Sequence, residues 1–563
     1  MSRQYDAVIV GGGHNGLVCG AYLARAGVKV CVLERRSMTG GAAVTEEVWP
    51  GYRVSTASYV MGLMQPKVIL DLELQKYGFE VIPAAPITFP LADGRYFTMW
   101  GDPEKFQAEI ARFSDRDAAA YPAFRAHMLK LAPFMKQLIF EIPVDPGSGK
   151  LGDIKRLAAF AWRFRKVGAQ FYDIYNLLTL SAYDYLSRWF ESDDVKLVMG
   201  FFAGGGGANS SLKTPGSAYM LARGIVRDNT TAAGPSGFMK GGMGAISDAI
   251  RRSGEAHGME VRTDAEVAEI LTTNGTARGV RLASGEEIGA RIVIANSNAK
   301  TTFLKLVDGK RLPESFMRDI RSIRCESTVF RVNLALDGLP DCPSFRPEIT
   351  GFHYPIQLTI APSIDYMEDA HAQSRRGQMS ENPFLIIKVP TLADPSMAPE
   401  GKHVLSIFGG HAPYTLREGT WDERRDELYA NVLRILEGHF PDIRKHILHC
   451  QVLTPLDLER IFDLPNGHVH HGEISADQMF FRRPAAQFGD YRSPIARLYQ
   501  CGASTHPGGG VTGMPGYNAA RLGRDRRDLG YRRLSFPLRR DRRPACGAQG
   551  PRCRDDIRLQ DRQ

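Results

Sequence analysis

The sequence has few of the features that mark membrane-spanning, secreted or metal-bound proteins. None of its apolar runs reaches the roughly 18 residues that a membrane-spanning helix needs. The first predicted strand begins at Tyr5, so we expect no cleavable targeting segment. Eight cysteines are scattered along 563 residues and none occurs as C-x-x-C. This pattern favours a reducing compartment and predicts neither a zinc site nor a dithiol redox pair.

The C-terminal segment carries nearly all of the net charge of the chain. Residues 521–563 contain fourteen arginines, six aspartates and neither lysine nor glutamate, so they carry +8 of the total of +9. A basic tail could bind nucleic acid or anionic lipid. This one lacks apolar periodicity and has the composition of a shifted reading frame in a GC-rich gene. We therefore assign it no function and expect no nucleic-acid partner.

The N-terminal residues contain a dinucleotide-binding fingerprint. Residues 5–10 (YDAVIV) predict a buried strand that runs into GGGHNG at 11–16, and an Ala-rich helical stretch follows at 17–26. A second strand, at 28–33, ends on Glu34. A glycine-rich turn between strand and helix, closed by an acid after the next strand, is the context that identifies a dinucleotide site. Glu34 is placed to bind the hydroxyls of the adenosine ribose.

Each residue of the glycine-rich turn has an expected role. Gly11 allows the tight turn, Gly13 lets a pyrophosphate approach the backbone, and Gly16 lets the helix pack on the strand. The helix N-terminus then presents free N–H groups and a partial positive charge to the diphosphate. We expect His14 and Asn15 to contact the cofactor here, with His14 directed toward the diphosphate or the ribose.

The next residues favour FAD over NAD as the cofactor. ERR at 34–36 is followed by TGGA at 39–42. This continuation resembles the E-x-R…GG motif of the amine oxidase and phytoene desaturase flavoproteins. The resemblance implies FAD contacts from Arg36, Gly40 and Gly41, because paired glycines let the backbone pass close to FAD.

A second glycine-rich segment lies near the C-terminus. The short strand LYQC at 498–501 precedes a second G-x-G-x-x-G pattern formed by Gly508, Gly510 and Gly513. No βαβ unit with a terminal acid follows, so we interpret it as a turn that brings backbone N–H groups to the flavin ring and not as an NAD(P) site. The helix that begins near Met514 would direct its dipole at the N1/O2 edge of the flavin. We assign FAD contacts to Gly502, Gly510, Val511 and Met514 here, and to Val267 further upstream.

These segments together resemble one group of flavoproteins. GGGHNG, KGGMGAISDAI at 240–250 and GASTHPGGGVTGMPG at 502–516 resemble the phytoene desaturase-type FAD oxidoreductases. With LTPLDLERIFDLPNGHVHHGEISADQMFF at 453–481, the chain is identified as a member of the family of pyridine nucleotide-disulphide oxidoreductase domain-containing protein 2. The resemblance covers roughly residues 4–520.

The resemblance implies an FAD oxidoreductase whose substrate is not established. For an animal member it implies the mitochondrial matrix and a role in regulating mitochondrial function, and for a prokaryotic chain we expect the cytoplasm. Disulfide reductase chemistry and NAD(P)H as electron donor are not expected, because the sequence has no active-site cysteine pair and no convincing second nucleotide domain.

The predicted fold is α/β: a two-lobed, FAD-binding Rossmann-type flavoprotein with a mixed α+β substrate lobe. We expect the cofactor lobe to comprise residues 4–65, 235–300 and 490–520, and the substrate lobe to comprise 71–234 and 301–484. Further expected elements are a helical region at 104–140 and strands at 260–262, 267–271, 279–282, 292–295, 328–336 and 403–408.

One predicted helix combines bulky apolar residues with cations. Residues 157–167 (LAAFAWRFRKV) could lie on a membrane surface. More often such a helix packs one face on its own domain. We favour packing, and expect peripheral membrane contact at most.

The candidate acid–base group is a histidine in the predicted cavity. His468, His470, His471 and Glu473 form the most polar cluster, but strand alternation would put the first two on one face and His471 on the other, which disfavours a metal site. We choose His471 as the catalytic candidate. A histidine hydrogen-bonded inside the fold is an equally good interpretation.

The predicted activity is FAD-dependent oxidation of an apolar or amphipathic small molecule by hydride transfer to flavin N5, with O₂ or a quinone-like molecule as electron acceptor. A carotenoid-type desaturase is the nearest enzymatic model. A redox-neutral isomerase on reduced FAD is one alternative. A binding or regulatory protein that keeps the fold without turnover is another.

Overall fold

The computed structural model describes residues 4–523, apart from 166, 169, 205–209, 227–236, 344 and 346–350. Nearly all of the arginine-rich tail, from residue 524 onward, lies outside the described residues. The described part contains eighteen strands: β1 (Gln4–Val10), β2 (Val30–Leu33), β3 (Glu46–Trp49), β4 (Tyr52–Val54), β5 (Val81–Pro83), β6 (Ile87–Pro90), β7 (Tyr96–Met99), β8 (Gly237–Met239), β9 (Glu260–Arg262), β10 (Val267–Thr273), β11 (Thr276–Leu282), β12 (Glu287–Ala295), β13 (Phe330–Leu336), β14 (Gln357–Ile360), β15 (Leu385–Lys388), β16 (His403–Gly409), β17 (Ile447–Leu453) and β18 (Leu498–Gln500).

The same residues form seventeen α-helices: α1 (His14–Arg25), α2 (Pro66–Asp71), α3 (Pro103–Ala111), α4 (Asp115–Phe140), α5 (Leu151–Phe164), α6 (Gln170–Thr179), α7 (Ala182–Ser187), α8 (Asp193–Gly204), α9 (Tyr219–Val226), α10 (Gly244–Glu255), α11 (Ala299–Thr301), α12 (Glu314–Ser322), α13 (Ile364–Arg375), α14 (Trp421–Glu437), α15 (Ile443–His446), α16 (Pro455–Phe462) and α17 (Met514–Gly523).

The first sheet is built from three distant stretches of the chain. Its order is β10-β11-β12-β1-β2-β9, and β18 also pairs with β12. β1 is parallel to both of its neighbours, so that Val8 lies opposite Val293 and Cys31. Parallel strands buried on both faces are apolar along their whole length, and all four residues of β2 are buried.

Alternate residues of β1 enter two apolar clusters, one on each face of this sheet. Ala7 and Ile9 pack with residues of α1, α10 and α17. Val8 and Val10 pack with β10, β11 and α12. Helix α17 crosses α1 so closely that a Cβ on Gly516 would lie 2.2 Å from the carbonyl oxygen of Asn15. The two glycine-rich segments are therefore held together at one edge of the sheet.

The second sheet has seven strands in the order β17-β13-β16-β15-β14-β6-β7. Its pairings are antiparallel except for that of β14 with β6. On one face, Phe330, Val332 and Leu334 pack with α14. On the other, Ile386 and Phe408 join the largest apolar cluster, which includes residues of α4 and α8.

The predicted helical region at 104–140 is confirmed, with one break. The region 104–140 is two helices, α3 and α4, because the chain turns at residues 112–114 and the Ser114 hydroxyl accepts the N–H of Asp117 as an N-cap. In the α5 part of 157–167 no residue is fully buried, but Leu157, Phe160 and Phe164 are half-buried at helical spacing, so one face of the helix is partly covered, as expected.

The predicted strands of the first sheet are confirmed. β9 to β12 and β18 begin and end within a few residues of the expected positions. Among the helices of the described residues, none combines the length and the hydropathy that crossing a bilayer requires.

Candidate cofactor site

A cavity of about 300 Å³ opens at the carboxyl ends of β1, β2 and β12. Ligands of open parallel sheets bind at this edge, where the turns after the strands meet the helix N-termini. Twelve of the predicted site residues line the cavity: Gly11, Gly13, His14, Asn15, Glu34, Arg36, Gly40, Gly41, Val267, His471, Gly510 and Val511. The fold thus brings both glycine-rich segments and the chosen histidine to one cavity.

The turn before α1 leaves a bare stretch of backbone on the cavity wall. Helix α1 follows Gly13, which makes no side-chain capping bond. Gly13 pairs with Gly40 as an isolated bridge. A Cβ on Gly13 would lie only 2.9 Å from Nδ2 of Asn296. Unshielded N–H groups at a helix N-terminus are suited to a phosphate.

Glu34 lies buried at the end of β2. Its carboxylate accepts the N–H of Gly12 at 2.8 Å and the N–H of Arg36 at 3.0 Å. These two bonds fix the carboxylate toward the cavity. A carboxylate has acceptor sites beyond two hydrogen bonds, which can take the hydroxyls of a ribose.

Arg36 is held over the cavity by two contacts. Its Nη2 pairs with Glu46 at 2.5 Å, and its guanidinium lies 5.2 Å from the centre of the Phe462 ring. Its Nη1 is buried and has no hydrogen-bond partner. A buried donor without a partner is costly, so this atom fits a bound group that carries acceptor oxygens.

Two neutral histidines face the cavity from opposite segments. Burial lowers the pKa of His14 to about 4, although a hydrogen bond with the Gly510 backbone opposes the shift. Burial, together with the charge of Arg483 and the proximity of His14, lowers the pKa of His471 to about 3. One ring nitrogen of each, Nε2 of His14 and Nδ1 of His471, is buried without a partner. Both can hydrogen-bond a ligand while uncharged.

The segment that carries His471 is a turn, so the predicted strand alternation there is wrong. Asn466, Gly467 and His471 have φ values of 54°, 69° and 58°. His468 Nδ1 accepts the N–H of His470 at 3.1 Å and so holds the turn together. No group of three or more His, Cys, Asp or Glu side chains in the described part of the chain is arranged to hold a metal ion.

Three predicted contact residues lie outside the lining. A Cβ on Gly16 would lie 2.3 Å from the Gly11 oxygen, and one on Gly502 would lie 2.5 Å from the Asn296 oxygen, so both glycines serve close packing. Met514 is fully buried, and its N–H donates to the Thr512 hydroxyl at 3.1 Å. His506, beside the second turn, hydrogen-bonds the Leu138 oxygen at 2.9 Å and is held away from the cavity.

The cavity also contains residues that the motifs missed. Asn296, Ser297 and Asn298 follow β12 directly and line it. Asn296 donates to the Gly11 oxygen at 3.1 Å, and Asn298 donates to the His471 oxygen at 3.2 Å. Polar residues directly after a buried parallel strand are themselves a signal for this edge, and the sequence contains it.

Comparisons with known proteins agree with this geometry. The profile of the family described as flavin containing amine oxidoreductase matches residues 16–517. Pyridine nucleotide-disulfide oxidoreductase domain-containing protein 2 of Rattus norvegicus is 37% identical over 546 residues, which cover 93% of this chain and 94% of the rat protein.

Two proteins of named activity are more distant relatives. A limonene dehydrogenase component of Castellaniella defragrans is 29% identical over 545 residues, which cover 92% of this chain and 94% of that protein. A neurosporene-forming phytoene desaturase of Cereibacter sphaeroides is 26% identical over 527 residues, which cover 91% and 92%. The resemblance to phytoene desaturase-type flavoproteins and the predicted fold class are confirmed.

Proposed function

The chain belongs to the flavin containing amine oxidoreductases and to the family of pyridine nucleotide-disulfide oxidoreductase domain-containing protein 2, and we propose that it is an FAD-dependent oxidoreductase. Its substrate is an apolar or amphipathic small molecule. The observation that carries the proposal is the junction of the uncapped α1 N-terminus, the Glu34 carboxylate and the second glycine turn in one cavity.

The cavity supports FAD as the particular flavin. The α1 N-terminus and Arg36 Nη1 would bind the diphosphate, and Glu34 would bind the ribose. Backbone at Gly510 and Val511 would contact the ring system. The buried atoms without partners, on Arg36, His14 and His471, gain hydrogen bonds when such a group is present.

FAD bound in this cavity would supply a hydride acceptor at N5, which is the chemistry needed to oxidise a substrate C–H bond by two electrons. The chain must then orient the substrate and exclude water. Phe462, Leu464 and Val469 give the cavity an apolar wall. We propose His471 as the catalytic histidine. With a pKa of about 3 it acts as a neutral hydrogen-bonding group and not as a strong base.

Two observations support the proposed substrate class, and a third supports the proposed electron acceptor. Limonene and phytoene, named in two relatives, are hydrocarbons, and the largest apolar cluster of the described residues contains both Ile386 and Phe408 of the second sheet and Phe462 and Leu464 of the cavity wall. We propose O₂ or a quinone-like acceptor, because the second glycine turn runs from β18 directly into α17 without the βαβ unit of an NAD(P) site.

The state of the cysteines supports an oxidoreductase mechanism that uses the flavin but no redox-active disulfide. In the described part of the chain, none of the six cysteines forms a disulfide. Burial raises the pKa of Cys501 well above its usual range, and neighbouring Cys19 adds to the shift. A protonated buried thiol is a poor nucleophile.

We further propose that the α5–α6 face contacts anionic membrane surfaces, where apolar substrates concentrate. Leu151, Ile154 and Trp162 recur at helical spacing on α5 and are 49–68% exposed, and Phe171 and Tyr172 on α6 are at least 60% exposed. Exposed cations such as Lys155 surround them. Apolar side chains flanked by cations suit an anionic bilayer surface.

Sedimentation with vesicles of phosphatidylglycerol and phosphatidylcholine tests this face. Trp162→Ser should lower the bound fraction several-fold, and the matched control Leu448→Ser, at an exposed leucine on β17, should leave it unchanged. Equal binding of both variants, or equal binding to pure phosphatidylcholine, would rule out the proposal.

The visible spectrum of the purified protein, before and after anaerobic reduction with dithionite, tests the proposed activity. Flavin bands that bleach and return in air are the expected result, followed by FAD identification in the denatured supernatant. A folded protein that stays colourless after incubation with FAD would favour a binding or regulatory protein. Substrate turnover that requires reduced flavin without net oxidation would favour the isomerase.

A further inference from the structure

A row of polar side chains crosses the second sheet on the face that packs toward the cofactor lobe. Five in-register residues form it, one from each of five adjacent strands: Gln451, Asn333, Ser406, Lys388 and Gln357. Hydrogen bonds join its members. Asn333 donates to Gln451 at 2.9 Å, Ser406 donates to Asn333 at 2.8 Å, and Lys388 donates to Gln357. We call this the polar row.

Arg331 extends the polar row from the adjacent position on β13. It is 1% exposed and is among the largest fully buried side chains of the described residues. Its Nη2 donates to Ser406 at 2.6 Å and to the Ser55 oxygen at 3.2 Å. Its Nη1 is buried and has no hydrogen-bond partner among the described residues. Neutral acceptors therefore hold one side of the guanidinium and leave the other side unsatisfied.

Lys388 is the second buried cation of the row and is 3% exposed. Within the described residues neither Lys388 nor Arg331 forms an ion pair. Both lie against one ring, with Arg331 at 5.0 Å and Lys388 at 5.7 Å from the centre of Tyr59. A cavity of about 20 Å³, the room of about one water molecule, is lined by Lys388, Tyr59 and Ser406.

Two buried cations without a carboxylate are costly to a folded protein, and an anion between them would offset that cost. A guanidinium with a free Nη1 and an ammonium with spare N–H groups suit a carboxylate oxygen pair. Tyr59 also ties the row to the cofactor cavity, because Ser58, its neighbour in sequence, lines that cavity. The row is therefore covered by a segment that continues directly into the wall of the cofactor cavity.

We propose that Arg331 and Lys388 bind the anionic head, most simply a carboxylate, of an amphipathic substrate. This inference rests on the proposed function and narrows its substrate class from hydrocarbons in general to amphipathic acids. The apolar tail would lie along the cluster that contains Ile386 and Phe408.

Calorimetric titration of the flavin-loaded protein with octanoate tests the proposal, with octanol and octylamine as probes of the same chain length. Octanoate should bind at least ten-fold more tightly than either. Arg331→Met and Lys388→Met should each weaken octanoate binding at least ten-fold, and Arg331→Lys should restore part of it. Lys196→Met is the control, because Lys196 is equally buried but paired with Asp193 at 2.7 Å.

Equal binding of octanoate and octanol would overturn the proposal, as would no binding of octanoate or unchanged affinity in Lys388→Met. Lys388→Met removes a buried charge and shortens the side chain by only one heavy atom, so it serves even where Arg331→Met does not fold. The dithionite spectrum of the same sample separates the two proposals. A redox-active flavin without octanoate binding refutes only the anion site, and octanoate binding to a colourless protein refutes only the oxidoreductase.

Discussion

Lys388 should make the stability of the protein depend on pH in a direction that its burial dictates. Burial, with a further contribution from the charge of Arg331, lowers the pKa of Lys388 from 10.5 to about 7. Between these two values the unfolded chain holds the proton more tightly than the folded chain does. The free energy of unfolding therefore rises as the pH increases from 7 toward 10.5.

The size of the effect follows from the two pKa values. At pH 7 the buried lysine costs about 4 kcal/mol, and at pH 9 about 2 kcal/mol, so the free energy of unfolding should rise by about 2 kcal/mol across this interval. The other titratable groups that face Lys388 do not change their protonation state between pH 7 and pH 9. Burial lowers the pKa of Arg331 only to about 10 and raises that of Tyr59 to about 12.

The assay is urea unfolding of the wild type and Lys388→Met at pH 7 and pH 9, with midpoints converted through the measured m-values. Subtracting the variant from the wild type cancels the titration of every other group. Lys196→Met is the control. Burial opposes ionisation there, but the hydrogen bond to Asp193 raises the pKa of Lys196, so it stays charged over the whole interval. A wild type and a Lys388→Met variant with the same change between pH 7 and 9 would refute the reasoning.

Three further predictions concern the cofactor cavity. Glu34→Gln should weaken FAD binding about 10- to 100-fold, since a hydrogen bond to a charged acceptor contributes about 1.5–3 kcal/mol. A fluorescence titration of the apoprotein with FAD measures the Kd. An unchanged Kd would contradict the assignment of Glu34 to the ribose. Gly13→Ala should abolish FAD binding, because the added Cβ would enter the turn. The Gly62→Ala control should bind FAD normally, because a Cβ added there has no atom of the other described residues within 4 Å. Equal FAD retention by the two variants after gel filtration would show that the turn has room for the Cβ. His471 should be neutral from pH 5 to 8, because burial lowers its pKa to about 3. Hydrogen–deuterium exchange at histidine C2, followed by mass spectrometry, reports that pKa. An exchange-rate profile with its midpoint near pH 6.5 would exclude the buried, unpaired ring.

The sequence predicts those parts of the fold that depend on interactions between residues close together in the chain. The strand at 5–10, the glycine turn and the helix after it depend on apolar alternation, backbone geometry and helix-starting signals within twenty residues or so. The structure has them at β1 and α1. The same holds for β12, where an apolar run identifies the strand, whereas Asn296 and Asn298, which follow it and line the cavity, are not among the predicted site residues.

The histidine turn shows a misleading local pattern. The letters HVHH suggest alternation, but Asn466-Gly467 directly before them is a turn signal, and the chain adopts left-handed backbone there. Helix α5 shows a different difficulty. Its periodicity defines an apolar stripe, but periodicity does not tell whether anything covers that stripe, and none of its residues is fully buried.

The polar row could not be predicted as a unit, because it depends on the register of five strands drawn from residues 330–453. Each strand contributes one polar residue within an apolar run, such as Lys388 in LIIK or Ser406 in HVLSIFG. A lone polar residue in a buried strand signals that something satisfies it. Only the pairing of the strands tells which residue does so.

The way β18 completes the first sheet determines when the protein can fold during synthesis. β12 pairs with β1, which is synthesised nearly 300 residues earlier, and with β18, which is synthesised about 200 residues later and where Leu498 lies opposite Val293. Until about residue 500 has left the ribosome, that edge of β12 is exposed, and the cavity lacks Gly510 and Val511. Pairings so distant along the chain form slowly, and open strand edges invite aggregation. A newly made chain of this kind should therefore depend on protection from chaperones until α17, the last helix of the described residues, packs against α1.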